Sequence, residues 1–201
     1  GSPKFWSYIY PIMEMKVMIT EKVKVSVWSN KEREQLKKEY FQDYNTIAQQ
    51  RCSSDLAKNE NNDCVVKSFM MALDLSYEQA HAYIKKEMHR KDGNGTYTNA
   101  YAKNIVGKTK NGKKITFIGA HPTREWMQRV SGSTKKVLAN KQYKKPTGYT
   151  LKAFMENHPI GRFVLVVQGH AVAVVDGVLY GNFSEQWNGL YRSVWYGFEM
   201  K

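Results

Sequence analysis

The chain has 201 residues, of which 42% are apolar and 13% aromatic, and its 31 basic and 18 acidic side chains give a net charge of +13. This apolar and aromatic content excludes a disordered chain, and the length is that of one globular domain with room for a small appendage. No apolar run approaches the roughly 18 residues that a membrane-spanning helix needs, so we expect no contact with a membrane.

Residues 1–50 are predicted to form an appendage of one hairpin and one helix. Apolar and polar side chains alternate over 13–28, which is the periodicity of strands. A capping-box pair then precedes a helix predicted over 31–50, whose buried stripe includes Tyr40 and Tyr44. This piece is a candidate for docking a partner or for regulation.

Residues 51–201 are predicted to form the main domain. A polar loop over 51–63 precedes a strongly apolar helix from Cys64 to about Leu73. Ser76 and Gln79 then cap a second helix that runs to about residue 89. No internal repeat interrupts this order.

The segment 103–145 is predicted to be a basic insertion, because it has 12 basic side chains and a single acid, Glu125. Such one-sided charge indicates an anionic partner, either nucleic acid or an acidic protein, while a well-solvated lysine-rich face is the structural alternative. The residues chosen as the basic patch are Lys108, Lys110, Lys113, Lys114, Lys135 and Lys136.

The C-terminal part reads as a short helix followed by a β-meander. The helix is predicted over 151–157, and strands are predicted over 163–167, 170–175, 178–180 and 190–198. Asp176-Gly177 is the strongest hairpin signal in the chain. Helices followed by an antiparallel sheet predict an α+β fold.

Cys64 and His170 form the candidate catalytic pair. A cysteine in the first turn of a helix lies beside unsatisfied backbone N–H groups and the positive end of the helix dipole, which favour the thiolate. His170 begins an apolar strand, where a titratable ring suits a base that faces a cleft from a rigid support. The 106 residues between them are no obstacle, since the two side chains need only be neighbours in space. A small buried thiol is the structural alternative for Cys64.

Two stretches resemble papain-like cysteine peptidases of the compact bacterial and phage type that includes bacteriocin-processing peptidases. Asn-Asp-Cys-Val-Val at 62–66 is similar to the start of their nucleophile helix, and Gly-His-Ala-Val-Ala-Val-Val-Asp-Gly at 169–177 is similar to their histidine strand. The resemblance implies a papain-like fold over 51–201, with the N-terminal helices packed on the antiparallel sheet.

The resemblance also implies a third residue beyond the histidine strand that orients the imidazole. Asn182 is the first choice, Asp176 the second and Asn188 the third. The family places a glutamine several residues before the cysteine as an oxyanion donor, whereas this chain has Lys58 there. Asn61 and Asn62, in the loop before the cysteine, are therefore the oxyanion candidates. Asn59 in the same loop, and Gln49 or Gln50 further upstream, are the alternatives.

These observations predict a thiol hydrolase that cleaves a peptide or isopeptide bond of a protein or peptide substrate, with no cofactor and no metal ion. The spacing of Cys52, Cys64, His81 and His89 lacks the short pairs of structural zinc sites. Two cysteines are too few for a disulfide framework, which favours the reducing cytoplasm. The alternative is a weakly active or inactive papain-like fold that binds nucleic acid or an acidic protein through 103–145.

Overall fold

The computed structural model of the chain describes residues 40–118, 150–182 and 188–201, within which the fold is α+β. The strands are β1 (Phe41–Asp43), β2 (Thr109–Lys110), β3 (Lys113–Ile118), β4 (Arg162–Val167), β5 (His170–Val175), β6 (Val178–Gly181) and β7 (Tyr196–Met200). The helices are α1 (Tyr44–Gln50), α2 (Leu56–Asn59), α3 (Cys64–Leu73), α4 (Tyr77–Glu87), α5 (Thr98–Tyr101) and α6 (Leu151–Asn157), with 3₁₀ turns at Ala102–Asn104 and Asn188–Tyr191.

These described strands form one sheet in the order β1-β6-β5-β4-β7-β3-β2, and among them β1 pairs in parallel with β6 while every other pair is antiparallel. Alternate residues of β4 enter different cores: Val164 packs with α3 and α4, whereas Phe163 and Leu165 pack with α6. Because both faces of the sheet are covered, its central strands read as near-continuous apolar runs. Gly197 of β7 lies so close to β4 that a Cβ there would be 2.6 Å from the Val164 carbonyl oxygen.

Helix α3 packs against β5 and β4. All its residues after Cys64 are buried except Lys67, and the helix ends at Asp74, whose φ of 55° is left-handed. The capping box predicted for the next helix is confirmed, since the Ser76 hydroxyl accepts from Gln79 N–H and the Gln79 side chain accepts from Ser76 N–H. This packing holds the first turn of α3 against the sheet.

The helix predicted over 64–73, the helix over 151–157 and the meander through β4, β5 and β6 are confirmed. The last strand was wrong in its bounds, because residues 188–191 form a 3₁₀ turn and the chain joins the sheet only from Tyr196 to Met200. The apolar side chain of Leu190 in this stretch belongs to a turn that packs on α6 and not to a strand.

The helix predicted over 31–50 is wrong over Phe41–Asp43, which is a strand paired in parallel with β6. Tyr40 and Tyr44 are buried as their helical spacing suggested, but long-range pairing decides the backbone between them. Residues 40–50 thus pack against the described part of the main domain, with β1 in the sheet and α1 on α3. The hairpin predicted over 13–28 lies outside the described residues.

The first part of the basic segment forms β2 and β3, and β3 pairs with β7 of the central sheet. Lys108, Lys110, Lys113 and Lys114 lie on or next to this hairpin, whereas Lys135 and Lys136 lie outside the described residues. Across the parts of the chain that the structure describes, every helix is too short or too polar to cross a bilayer.

Candidate active site

A polar cleft of about 460 Å³ lies where the start of α3 meets the start of β5 and the end of β6. Both members of the predicted catalytic pair, the first-choice third residue and both oxyanion candidates line it together. The lining residues are Tyr44, Glu60, Asn61, Asn62, Asp63, Cys64, Lys67, Gly95, Gly169, His170 and Asn182.

Cys64 is the first residue of α3 and is half-buried in the cleft wall. Asp63 precedes it as the N-cap, but its side chain makes no cap hydrogen bond. The carboxylate instead accepts from Lys67 Nζ at 2.7 Å and from the Tyr77 hydroxyl at 2.7 Å. The N–H groups of the first turn are therefore not consumed by the capping side chain, which keeps the positive end of the helix directed at the cleft.

Lys67 is the one partly exposed residue in the buried run of α3, with a side chain 11% exposed. Besides its ion pair with Asp63, its ammonium donates to Asn45 Oδ1 at 2.6 Å. Asn45 Nδ2 donates in turn to Asn182 Oδ1 at 3.0 Å. Three elements of the fold, α3, α1 and the end of β6, are thereby joined under the cleft by one polar chain.

His170 is the first residue of β5, so its ring is attached to a rigid strand at the edge of the cleft. Its Nε2 lies 3.3 Å from the hydroxyl oxygen of Tyr44, and the two rings meet edge to face with centroids 6.4 Å apart. The Tyr44 hydroxyl also donates to the Ala171 carbonyl oxygen at 3.1 Å. Tyr44 itself is fully buried.

The topology explains how Tyr44 reaches this place. Because β1 runs parallel to β6 with Asp43 opposite Gly181, the chain leaves β1 at the same end of the sheet as Asn182. Asp43 then caps α1 by accepting from Asn45 N–H, which turns the chain so that the first turn of α1 contacts the cleft.

Among the three candidates for the third residue, Asn182 lies in the cleft with His170. Asp176 follows the last residue of β5, so at 3.3 Å per residue it is about 20 Å along the strand from His170. Its carboxylate accepts from Gly161 N–H at 3.0 Å, and its φ is 47°, so it serves the turn between β5 and β6. Asn188 begins the 3₁₀ turn before β7.

The loop that holds the two oxyanion candidates is tied down by Glu60. One carboxylate oxygen accepts from the backbone N–H groups of Asn61 at 3.0 Å and Gly93 at 2.6 Å. Asn62, with a left-handed φ of 52°, donates its side-chain amide to the Gly93 carbonyl oxygen at 2.9 Å. Asn62 thus uses its side-chain amide within the loop, whereas Asn61 bonds to Glu60 through its backbone N–H, and both residues are exposed.

Glu60 is itself held by cationic and imidazole groups. Its second oxygen accepts from Arg90 at 3.2 Å and lies 2.8 Å from His81 Nε2. Burial opposes ionisation of this carboxyl, but the hydrogen bonds from Arg90, His81 and the loop backbone outweigh it and lower the pKa of Glu60 to about 2. The carboxylate is thus ionised at neutral pH and stays bound to the loop.

Glu60, His81 and Asp92 lie close enough together to offer ligands to one metal ion. The buried guanidinium of Arg90, however, donates to Glu60 and lies 3.3 Å from His81 Nε2. A permanently charged group already takes the place of a cation there, so this cluster is an ion-pair network and not a metal site. His81 is itself buried, with 7% of its surface exposed.

Tyr44, Asn45 and Lys67 are site residues that sequence reasoning missed. A lysine inside an otherwise apolar helix, four residues after an aspartate, was a usable signal for Lys67. Nothing local marks Tyr44 or Asn45, because a long-range parallel strand pair brings them to the cleft. Neither protein-family models, curated proteins nor solved structures match this chain.

Proposed function

We propose that the protein is a papain-like thiol hydrolase that cleaves a peptide or isopeptide bond through a thioester on Cys64. The observation that supports this most is the shared cleft, in which a cysteine at a helix N-terminus and a histidine at the start of a strand lie together. His170 is the general acid and base, and Asn182 is the proposed orienting group. This is the chemistry that a nucleophile and a base on rigid, adjoining elements can perform.

In the acylation half, Cys64 Sγ attacks the carbonyl carbon of the scissile bond, and the thiol proton passes to the His170 imidazole. The carbon–nitrogen bond then breaks, and the imidazolium gives that proton to the departing amine. The negative charge that forms on the carbonyl oxygen is stabilised by the N–H groups of the first turn of α3 and by the Asn61 amide.

In the deacylation half, water attacks the thioester carbon and gives one proton to the imidazole. The carbon–sulfur bond breaks, the product leaves as a carboxylic acid, and the sulfur recovers its proton from the imidazolium. The cycle requires a free thiol, and both cysteines are free. A reducing compartment such as the cytoplasm fits this requirement.

The test compares the two thiols within the full chain. Cys52 is a built-in reference, since it is also half-buried but its Sγ donates to Glu78 Oε1 at 3.3 Å and it lies outside the cleft lining. At about pH 6.5 we expect iodoacetamide to modify Cys64 at least about tenfold faster than Cys52, and His170→Ala to remove most of the difference.

A second measurement tests turnover. The full chain and its Cys64→Ala variant are incubated with a library of peptides, and new termini are identified by mass spectrometry. The proposal requires cleavage that depends on Cys64. Equal alkylation of both thiols, unaffected by the histidine change, contradicts it.

A second candidate function is the binding of an acidic macromolecule at the β2–β3 hairpin. Residues 103–118 contain five lysines and no acid, and Lys110 and Lys113 precede and follow, respectively, a tight turn at an edge of the sheet. Lys108 is 3.8 Å from Glu87, an exposed contact that leaves the charge of the hairpin strongly positive. Polyanion binding of this kind is driven by counterion release and weakens as salt rises.

A further inference from the structure

The Tyr44 hydroxyl lies within hydrogen-bonding distance of two groups, the Ala171 carbonyl oxygen and the His170 ring. The Ala171 carbonyl oxygen is 3.1 Å away and His170 Nε2 is 3.3 Å away. Tyr44 is fully buried, so its position is fixed by packing against the core that α3 and β5 share.

The number of available protons determines which group donates and which accepts in these two hydrogen bonds. A tyrosine hydroxyl has one proton and can also accept, whereas a carbonyl oxygen can only accept. The hydroxyl proton therefore goes to Ala171, and the bond to His170 requires the ring to be the donor. His170 then has its proton on Nε2, and Nδ1 is the basic nitrogen of the neutral ring.

Resting on the proposed function, we propose that Tyr44 is a positioning residue that holds His170 in the Nε2–H tautomer, so that Nδ1 receives the proton of Cys64. The tyrosine acts through the histidine and does not touch the reacting atoms. When Nδ1 takes the proton, the Nε2–H bond to the tyrosine oxygen also stabilises the imidazolium.

The hydrogen bonds of Asn182 explain why the His170 ring benefits from the Tyr44 oxygen as a second acceptor for its N–H group. A lysine ammonium can only donate, so Lys67 fixes Asn45 with Oδ1 toward Lys67 and Nδ2 toward Asn182. The Asn182 amide is then fixed with its oxygen toward Asn45. That oxygen accepts from Asn45, and the Tyr44 oxygen gives the ring an acceptor 3.3 Å from Nε2.

The direct test is the tautomer itself, read from imidazole ¹⁵N shifts of the full chain labelled at histidine. A Cys64→Ala background removes the thiol as a proton source, and a spectrum of the Cys64→Ala, His170→Gln chain assigns the signal. At about pH 8.5, above the ordinary histidine pKa of about 6.5, we expect a protonated Nε2 and an unprotonated Nδ1. A protonated Nδ1 in this spectrum overturns the proposal.

The matched perturbation is Tyr44→Phe, which removes one hydroxyl and keeps the ring. We expect the tautomer ratio to move toward Nδ1–H by about fivefold, the worth of one hydrogen bond, and iodoacetamide labelling of Cys64 to slow by a similar factor. Tyr196→Phe is the control, because it removes another buried hydroxyl, one bonded to Thr98. It should leave both readouts unchanged.

The two proposals fail in different ways. If His170→Ala leaves Cys64 labelling unchanged, the hydrolase proposal fails, while the tautomer spectrum still decides the role of Tyr44. If His170→Ala slows labelling but Tyr44→Phe, still folded by circular dichroism, changes neither the tautomer ratio nor the rate, the role of Tyr44 is refuted.

Discussion

Replacing Glu60 by glutamine should weaken the fold and remove part of its sensitivity to acid. The carboxylate is 6% exposed, accepts from the buried Arg90 guanidinium and from two backbone N–H groups, and holds the loop beside Cys64. Glu60→Gln keeps the shape but leaves the Arg90 charge without its counter-ion. Breaking one partner of a buried ion pair costs about 3 kcal/mol or more, so we expect a loss of about 3 kcal/mol near neutral pH.

The pH dependence follows from the lowered pKa of Glu60. A carboxyl whose pKa falls from 4.5 to about 2 on folding contributes stability that is complete above 4.5 and disappears as the pH falls through 2. If the whole shift from 4.5 to about 2 acts on folding, the linkage relation gives a loss of about 2 kcal/mol in the free energy of unfolding between about pH 6 and about pH 3. Water in the cleft screens part of this, which leaves about 1 to 2 kcal/mol.

Urea unfolding followed by circular dichroism, at several pH values in this window, measures both quantities. The decisive quantity is the difference in unfolding free energy between the chain and its Glu60→Gln variant, which should shrink by about 1 to 2 kcal/mol on acidification. Asp55→Asn is the control, since that exposed carboxylate makes no side-chain cap bond. A difference that stays constant across the window refutes the assignment of the acid sensitivity to Glu60.

Three further perturbations test the cleft, the sheet and the charge. A Cβ on Gly95 would meet open space in the cleft, so a phenylalanine there should block large reagents without disturbing the fold. Gly95→Phe should slow Cys64 labelling by a peptidyl chloromethyl ketone at least about tenfold, leave labelling by iodoacetamide unchanged and alter stability by less than about 0.5 kcal/mol, whereas Gly95→Ala should have little effect. Equal slowing of both reagents argues against blockage of the cleft. Gly197→Ala drives a Cβ to 2.6 Å from a backbone oxygen and should cost about 2 kcal/mol in urea unfolding, and a neutral result would contradict the close approach of β7 to β4. Lys113→Glu with Lys114→Glu should reduce heparin or single-stranded DNA retention at low salt without altering Cys64 labelling; unchanged retention would identify these lysines as a solvated face.

Local patterns were sufficient where an element depends on its own residues. The capping box at Ser76 predicted the start of α4, and Asp176-Gly177 predicted the turn between β5 and β6, because the residue pairs that define them, Ser76 with Gln79 and Val175 with Val178, are close neighbours in the chain. The same local view failed at Phe41–Asp43, where a helical spacing of tyrosines concealed a strand whose partner lies about 140 residues later in the chain.

The sequence by itself determined the α+β order of elements, the helix that begins at Cys64 and the strand that begins at His170, since apolar periodicity and caps are local properties. It also restricted the third residue to three candidates. Only the tertiary structure shows where these candidates lie, because the antiparallel pairing of β5 with β6 brings Asn182 back to the His170 end and leaves Asp176 at the opposite end. Tyr44 entered the site for the same physical reason: strand pairing joins distant residues by backbone hydrogen bonds, and no local pattern records which strands will pair.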